Sequence, residues 1–268
     1  MQRVAVDGAE LEVEVRGEGE PVVTIHPATA NAFAPLLAEP ALTQRYQLIL
    51  YHRRGYAGST RADRVLSRAE HAADCVELMR ALGMKQAHVV AYSAGCTIAL
   101  RLALDAPDFV GSLALLETAA WIFDEPTEAM IRQGQELGAA MAQAHDKNGM
   151  VDAFLRQALG DGYRAWLDQE VPGAFEQTVT DWVAEARDAS WRFSRQEAAR
   201  IHQPVLAVLG AESEPRAMEV HERLLAWLPQ AETLVLPGVN HALHMLKPRA
   251  MAEGLADFFA RHPLTGNT

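Results

Sequence analysis

The chain reads as an α/β protein: a doubly wound, mostly parallel sheet with an antiparallel hairpin at its N-terminus and a helical cap inserted into the core. Three features predict this. Short β-rich apolar runs alternate with helix-period stretches, an Asp-Gly turn joins two alternating runs near the start, and one long helical stretch interrupts the series. Strands that are apolar almost throughout must be covered on both faces, which a parallel sheet flanked by helices provides.

The first element is "RVAVDGAELEVEV", in which Asp7-Gly8 links two runs of period-2 alternation and so predicts a two-stranded ribbon. The buried strands follow as "PVVTIH" (21–26), "YQLILYH" (46–52), "AHVVAYS" (87–93), "SLALLE" (112–117), "PVLAVLG" (204–210) and "AETLVLPG" (231–238). Between them Ser67 to Leu82 places Ala72, Cys75, Val76, Met79 and Leu82 on one helical face, and further helical patterns cover 216–228 and 245–261. The alternation stops from Trp121 to Ala199. Residues 1–120 and 200–268 are therefore read as the core, and 121–199 as the cap.

The cap holds four of the five tryptophans (Trp121, Trp166, Trp182, Trp191) and 14 acids against 7 bases, so most of the net charge of −11 lies there. These aromatics suit an apolar roof over a ligand pocket, although any helical lid also packs on its core with large side chains. With no basic stripe, nucleic acid and anionic membranes are excluded as partners; a small-molecule substrate is expected, and a homodimer is left open. The N-terminus lacks the unbroken apolar region of a signal peptide, and no apolar run nears the roughly 18 residues of a membrane span. Cys75 and Cys96 make no disulfide framework and suit a reducing compartment, so a cytoplasmic protein is expected.

The chemistry centres on Ser93, between the apolar run "AHVVAY" and the helix-compatible "AGCTIALRLAL". A serine on a strained strand-to-helix turn is lifted above the sheet edge, and that turn tolerates only small residues two places either side, here Ala91 and Gly95. With "HP" at 26–27, "YHRRGYAGS" at 51–59 and "PGVNHALH" at 237–244, each after a strand, the sequence resembles the α/β-hydrolase superfamily, specifically its cap-bearing serine hydrolases of esterase and lactonase type. Pro27 stands where that family usually has glycine, and His52 where an aspartate is common.

The resemblance implies a triad in the order serine, acid, histidine, with Ser93 as nucleophile and His241 as base; His244, one turn on, is the competitor. The family's acid follows the glycine ending the next-to-last strand by two or three positions, so Glu212 is the expected acid, with Glu214 second. Glu117 is third, because some members place the acid at the end of the strand after the nucleophile's helix. The oxyanion hole is expected from the N–H groups of Ala94 and Ala28, since Pro27 has none to give. His26 is read as a buried hydrogen-bonding residue, and Arg53 and Arg54 as anchors of their turn.

Tyr92, Trp121, Phe123 and Trp191 are expected at the substrate, with Tyr92 either lining the pocket or packing under the turn. Cys96, three residues past Ser93, should pack inward on the helix. The Gly-x-Gly of "RGEGEP" ends a hairpin strand instead of opening a helix, so it is no dinucleotide loop. His241 and His244 lack a third ligand at a suggestive spacing, so no metal is expected, and the reaction needs no cofactor. The function implied is a carboxylic ester hydrolase acting on a neutral, fairly hydrophobic ester or lactone. The alternatives are a non-hydrolytic use of the same triad (a perhydrolase or haloperoxidase-like enzyme, a lyase or a cyclase) and a ligand-binding receptor with little turnover.

Overall fold

Asp7-Gly8 closes the first hairpin as its sequence requires: Gly8 takes φ 67°, and strands β1 (Gln2–Val6) and β2 (Ala9–Arg16) pair antiparallel with Val6 opposite Ala9. The molecule is described by a computed structural model that covers residues 1–119, 122–143, 147–170 and 191–265. The remaining strands are β3 (Glu20–Ile25), β4 (Tyr46–Tyr51), β5 (Ala87–Tyr92), β6 (Val110–Leu116), β7 (Val205–Gly210) and β8 (Ala231–Leu236). They form one eight-stranded sheet in the order β1-β2-β4-β3-β5-β6-β7-β8, parallel from β4 to β8 and antiparallel only through β1 and β2.

All six residues of β5 and of β7 are buried, which is why these strands read as continuous apolar runs. Period-2 geometry then splits them between two cores. Val89 and Ala91 pack with α2 (Arg68–Ala81) and α3 (Ala94–Asp105), whereas Val90 and Tyr92 face the side covered by the C-terminal helix, Pro248–Arg261. Helix α2 starts at Ser67 through a reciprocal cap: Ser67 Oγ accepts from the Glu70 N–H (3.3 Å) while Glu70 Oε2 accepts from the Ser67 N–H (2.9 Å).

Helix α3 lies close on the sheet at Gly95. A Cβ there would collide with the carbonyl oxygen of Ile25 in β3, so the helix holding the turn beside Ser93 approaches the strands only because this position is bare. Gly95→Ala is therefore expected to cost about 1–3 kcal/mol of stability, the usual penalty for forcing atoms into a packed site, read as a lower urea midpoint at unchanged m-value.

Between β6 and β7 the described residues form helices α4 (Glu128–Gln143), α5 (Lys147–Leu159), α6 (Tyr163–Glu170) and α7 (Arg195–Ala198). The two ends of this insertion meet in one parallel bridge, Phe123 to Phe193, where the Phe193 N–H donates to Ile122 O (2.7 Å) and the Asp124 N–H to Phe193 O (3.2 Å). The rest of the chain adds the short α1 (Pro40–Thr43) before β4, then α8 (Pro215–Trp227), α9 (Leu243–Leu246) and the C-terminal helix as α10. Among the described residues no helix is long and apolar enough to cross a membrane.

Candidate active site

Ser93 is the first residue beyond β5 and precedes α3, at φ 52° and ψ −118°. A side chain in this left-handed region is strained and persists only where its surroundings hold it. Here the Ser93 N–H donates to Leu116 O at the end of β6 (2.8 Å), and Ser93 O accepts from the Cys96 N–H (3.1 Å). The side chain is buried but borders a cavity.

His241 is delivered by the loop after β8. Its Nε2 lies 3.1 Å from Ser93 Oγ and its Nδ1 lies 2.9 Å from Glu117 Oε2. Burial raises the Glu117 pKa, but the hydrogen bond and charge of His241, with bonds from Ser213 and the Gly210 N–H, more than offset it and hold the carboxyl below its ordinary range. An ionised carboxylate only accepts, so Nδ1 carries the imidazole proton and Nε2 turns its lone pair to the serine hydroxyl.

Glu117, not Glu212, is thus the acid placed against His241. The "AESEP" turn explains the difference. The Ser213 N–H folds back on Gly210 O (3.1 Å), so the residue two past the glycine points out and the residue three past it points in. Glu212 is accordingly exposed, its carboxylate near the Gly238 turn, while the inward position is held by Ser213, an uncharged residue. Ser213 Oγ donates to Glu117 Oε1, which also accepts from the Gly210 N–H (2.8 Å). Glu117 takes φ 48°, the second strained non-glycine residue in this cluster after Ser93. Glycine is required at 210 because a Cβ there would run into the carbonyl oxygens of Val239 and Asn240, the loop that carries His241.

Glu214 caps the start of α8 in position but not in bonding: no helix N–H donates to its side chain, and it borders the cavity beside Arg216. His244 does not compete with His241. It is fully buried against Phe33 and Tyr92, with burial driving its pKa down to about 3. Cys96 points inward, its thiol donating to Ala91 O (3.2 Å) with its pKa pushed up to about 12 by burial, so it stays protonated and unreactive.

The loop after β3 is pinned from the next turn. Arg53 donates from its backbone N–H to His26 Nε2 (2.8 Å), from Nε to His26 O (3.1 Å) and from Nη2 to Pro27 O (2.9 Å). His26 Nδ1–H completes the knot on Pro27 O (2.6 Å), which makes His26 a neutral structural residue; burial and Arg53 hold its pKa well below the ordinary value. His52 bridges Glu12 and Asn31 at 2.8 Å each, and Arg54 pairs with Asp74 (2.6 Å). Arg53→Met is expected to cost about 2–4 kcal/mol, because buried carbonyls lose charged donors, and to lower turnover by loosening the loop at Ala28; urea melts and ester assays on one preparation check both.

Two adjoining cavities both border Ser93, His241, Phe154 and Ala158. One is the more polar, adding Glu117, Thr118, Glu214 and Arg216 beside Ala119, Ala217 and Val220; the other is largely apolar, adding Ala28, Ala94, Tyr92, Leu155, Leu159, Leu167 and Met245. Ala28 and Ala94, the residues expected to supply the oxyanion donors, thus line the same cavity as Ser93. Tyr92 lines the apolar cavity, and its hydroxyl donates to His241 O (2.7 Å), bracing the histidine loop.

Phe123 and Trp191 are corrections, since neither borders these cavities. Phe123 is buried at the bridge closing the insertion, against Trp227 (5.1 Å between ring centres), and Trp191 donates to Glu197 (2.9 Å) beside Arg101. Aromatics at the base of an insertion fasten it to the core, whereas α5 and α6 carry the residues that reach the serine. Trp121 lies outside the described residues. Sequence reasoning missed Leu155, Ala158, Leu159 and Leu167, whose only signal was their one-sided spacing in a helical stretch.

Serine, glutamate and histidine just past the ends of β5, β6 and β8 of one parallel sheet, with small residues around the serine turn, define a class. The chain belongs to the α/β-hydrolase fold family, which matches residues 20–248. It is 31% identical over 139 residues to Serine hydrolase BPHL of Mus musculus, a stretch covering 49% of this chain and 47% of that protein. The match thus spans about half the length of this curated relative. Among solved structures it resembles Est816, described as an N-acyl homoserine lactone degrading enzyme, at TM-score 0.77 and 25% identity over 96% of this chain and 100% of that one. It also shares its fold with the esterase EaEST of Exiguobacterium antarcticum, at TM-score 0.80 and 21% identity over 96% and 98% of the two chains.

Proposed function

We propose that the protein is a serine hydrolase that cleaves a neutral, fairly hydrophobic carboxylic ester or lactone through an acyl-enzyme on Ser93. The observation that carries this reading is the unbroken line from Ser93 Oγ through His241 to Glu117. As Oγ attacks the substrate carbonyl, His241 Nε2 takes its proton, and Glu117 stabilises the imidazolium without accepting the proton itself. The Ala28 and Ala94 N–H groups receive the oxyanion; Ala94 opens α3, where first-turn N–H groups have no acceptor within the helix. His241 returns the proton to the leaving alkoxide, and water, activated by the same imidazole, releases the acid. These side chains and water complete the reaction.

In this reading residues 121–199 are the cap, and its α5 and α6 supply Phe154, Leu155, Leu159 and Leu167 as the apolar wall that binds the substrate's hydrocarbon part. Because of the likeness to Est816, N-acyl homoserine lactones are among the first substrates to assay, beside p-nitrophenyl esters of two to twelve carbons. Medium-chain esters should be turned over best, and Ser93→Ala should abolish turnover of esters and lactones alike. Retention of wild-type rates by Ser93→Ala would remove the reading.

A further inference from the structure

The polar cavity holds a donor and an acceptor that do not satisfy each other. Arg216 is largely buried, 15% exposed in its side chain, and its one ion contact among the described residues is with Glu214 Oε2 at 3.8 Å, beyond hydrogen-bond reach. Glu214 Oε2 is itself buried and has no hydrogen-bond partner among the described residues. No helix N–H donates to the Glu214 side chain, which is 35% exposed overall and borders the cavity. A buried carboxylate oxygen without a donor costs free energy unless a third group supplies one.

Resting on the serine-hydrolase reading above, we infer that Arg216 and Glu214 form a specificity subsite for a neutral substrate group that accepts and donates hydrogen bonds together, a hydroxyl or an amide. Such a group takes a guanidinium N–H of Arg216 on its oxygen and gives its own proton to Glu214 Oε2. A carboxylate fits worse, because it has no proton for Glu214 and would meet two carboxylates, Glu117 and Glu214, against one guanidinium. A hydrocarbon leaves both groups unpaired. Since the adjoining cavity is apolar, the substrate is two-sided: its hydrophobic arm lies against Phe154 and Leu159, and its polar arm reaches Arg216 on the other side of the scissile carbonyl.

The test uses four octanoate esters, whose common acyl chain occupies the apolar cavity and leaves the alcohol part to the polar one: butyl, 3-hydroxypropyl, 2-acetamidoethyl and 2-carboxyethyl octanoate. Octanoate release at constant pH gives kcat/KM for each. The hydroxyl and amide esters should exceed the butyl ester by about 10- to 100-fold, the worth of a hydrogen bond to a charged group, and the carboxylate ester should rank last. Arg216→Met and Glu214→Gln should each reduce that preference at least several-fold, with Arg216→Lys intermediate, while fluorophosphonate labelling at Ser93 reports that each variant keeps an intact site. A preference for the carboxylate ester, or one unchanged in labelled Arg216→Met, overturns the subsite and leaves the hydrolase reading standing. Failure of the wild type to label at Ser93 overturns the hydrolase reading itself.

Discussion

Glu117→Gln is expected to lower kcat by about 10⁴-fold, the effect of an amide that leaves a catalytic histidine in the wrong tautomer. The reason is geometric. The substituted amide can offer an N–H where Glu117 Oε2 now accepts from His241 Nδ1, so the imidazole proton moves to Nε2 and the lone pair facing Ser93 is lost. Glu212→Gln, at an exposed position, should change kcat by less than about twofold, as surface substitutions do. The two variants thus separate the acid the structure places against His241 from the acid favoured by its spacing after Gly210. Acid stability gives a second readout. The Glu117 pKa is depressed in the fold, so its contribution is complete above the ordinary glutamate range and is lost as pH falls through the lower folded value. Thermal melts of Glu117→Gln against pH should therefore fall less steeply on the acid side than those of the wild type.

Ser93→Ala is expected to remove about 10⁴- to 10⁶-fold of turnover, leaving only what binding and the oxyanion donors supply. The same position stores strain, since Ser93 holds φ 52° and ψ −118°. Ser93→Gly, which also lacks the nucleophile, suits this backbone without steric cost and should raise stability over Ser93→Ala by about 1 kcal/mol in urea melts. Equal stability of the two would mean that the turn is not strained as its dihedrals indicate.

Which parts of this site were legible in the sequence follows from how far each residue's signal reaches. Ser93 was legible because local rules converge on it: an apolar strand before, a helix after, small residues two places either side, and Gly95 pressed on Ile25. His241 was legible from its place just past the last strand. The sheet was equally open to reading, because strands buried on both faces leave continuous apolar runs, and the predicted limits fall within about two residues of the observed ones.

The acid was not, because its choice depends on which way one turn faces. "AESEP" offers two glutamates at plausible spacings, and only the fold-back of Ser213 on Gly210 shows that the inward position carries a hydroxyl. The carboxylate then comes from Glu117 on the neighbouring strand end. Ser213, standing three past the glycine with no charge, was the available hint. The pocket was illegible for a different reason. Phe123 and Trp191 are large and lie in the inserted stretch, but size does not say whether an aromatic faces ligand or fastens a hinge. Glu214 reads only as a second candidate acid, and nothing local to Arg216 or Glu214 signals the cavity beside them.

The most direct test of the Ser93–His241–Glu117 mechanism is to react the protein with a fluorophosphonate and locate the adduct by peptide mass spectrometry. One adduct on Ser93, formed far more slowly in Glu117→Gln and at the wild-type rate in Glu212→Gln, is the expected result. An adduct on another residue, or labelling slowed by Glu212→Gln and untouched by Glu117→Gln, would contradict it.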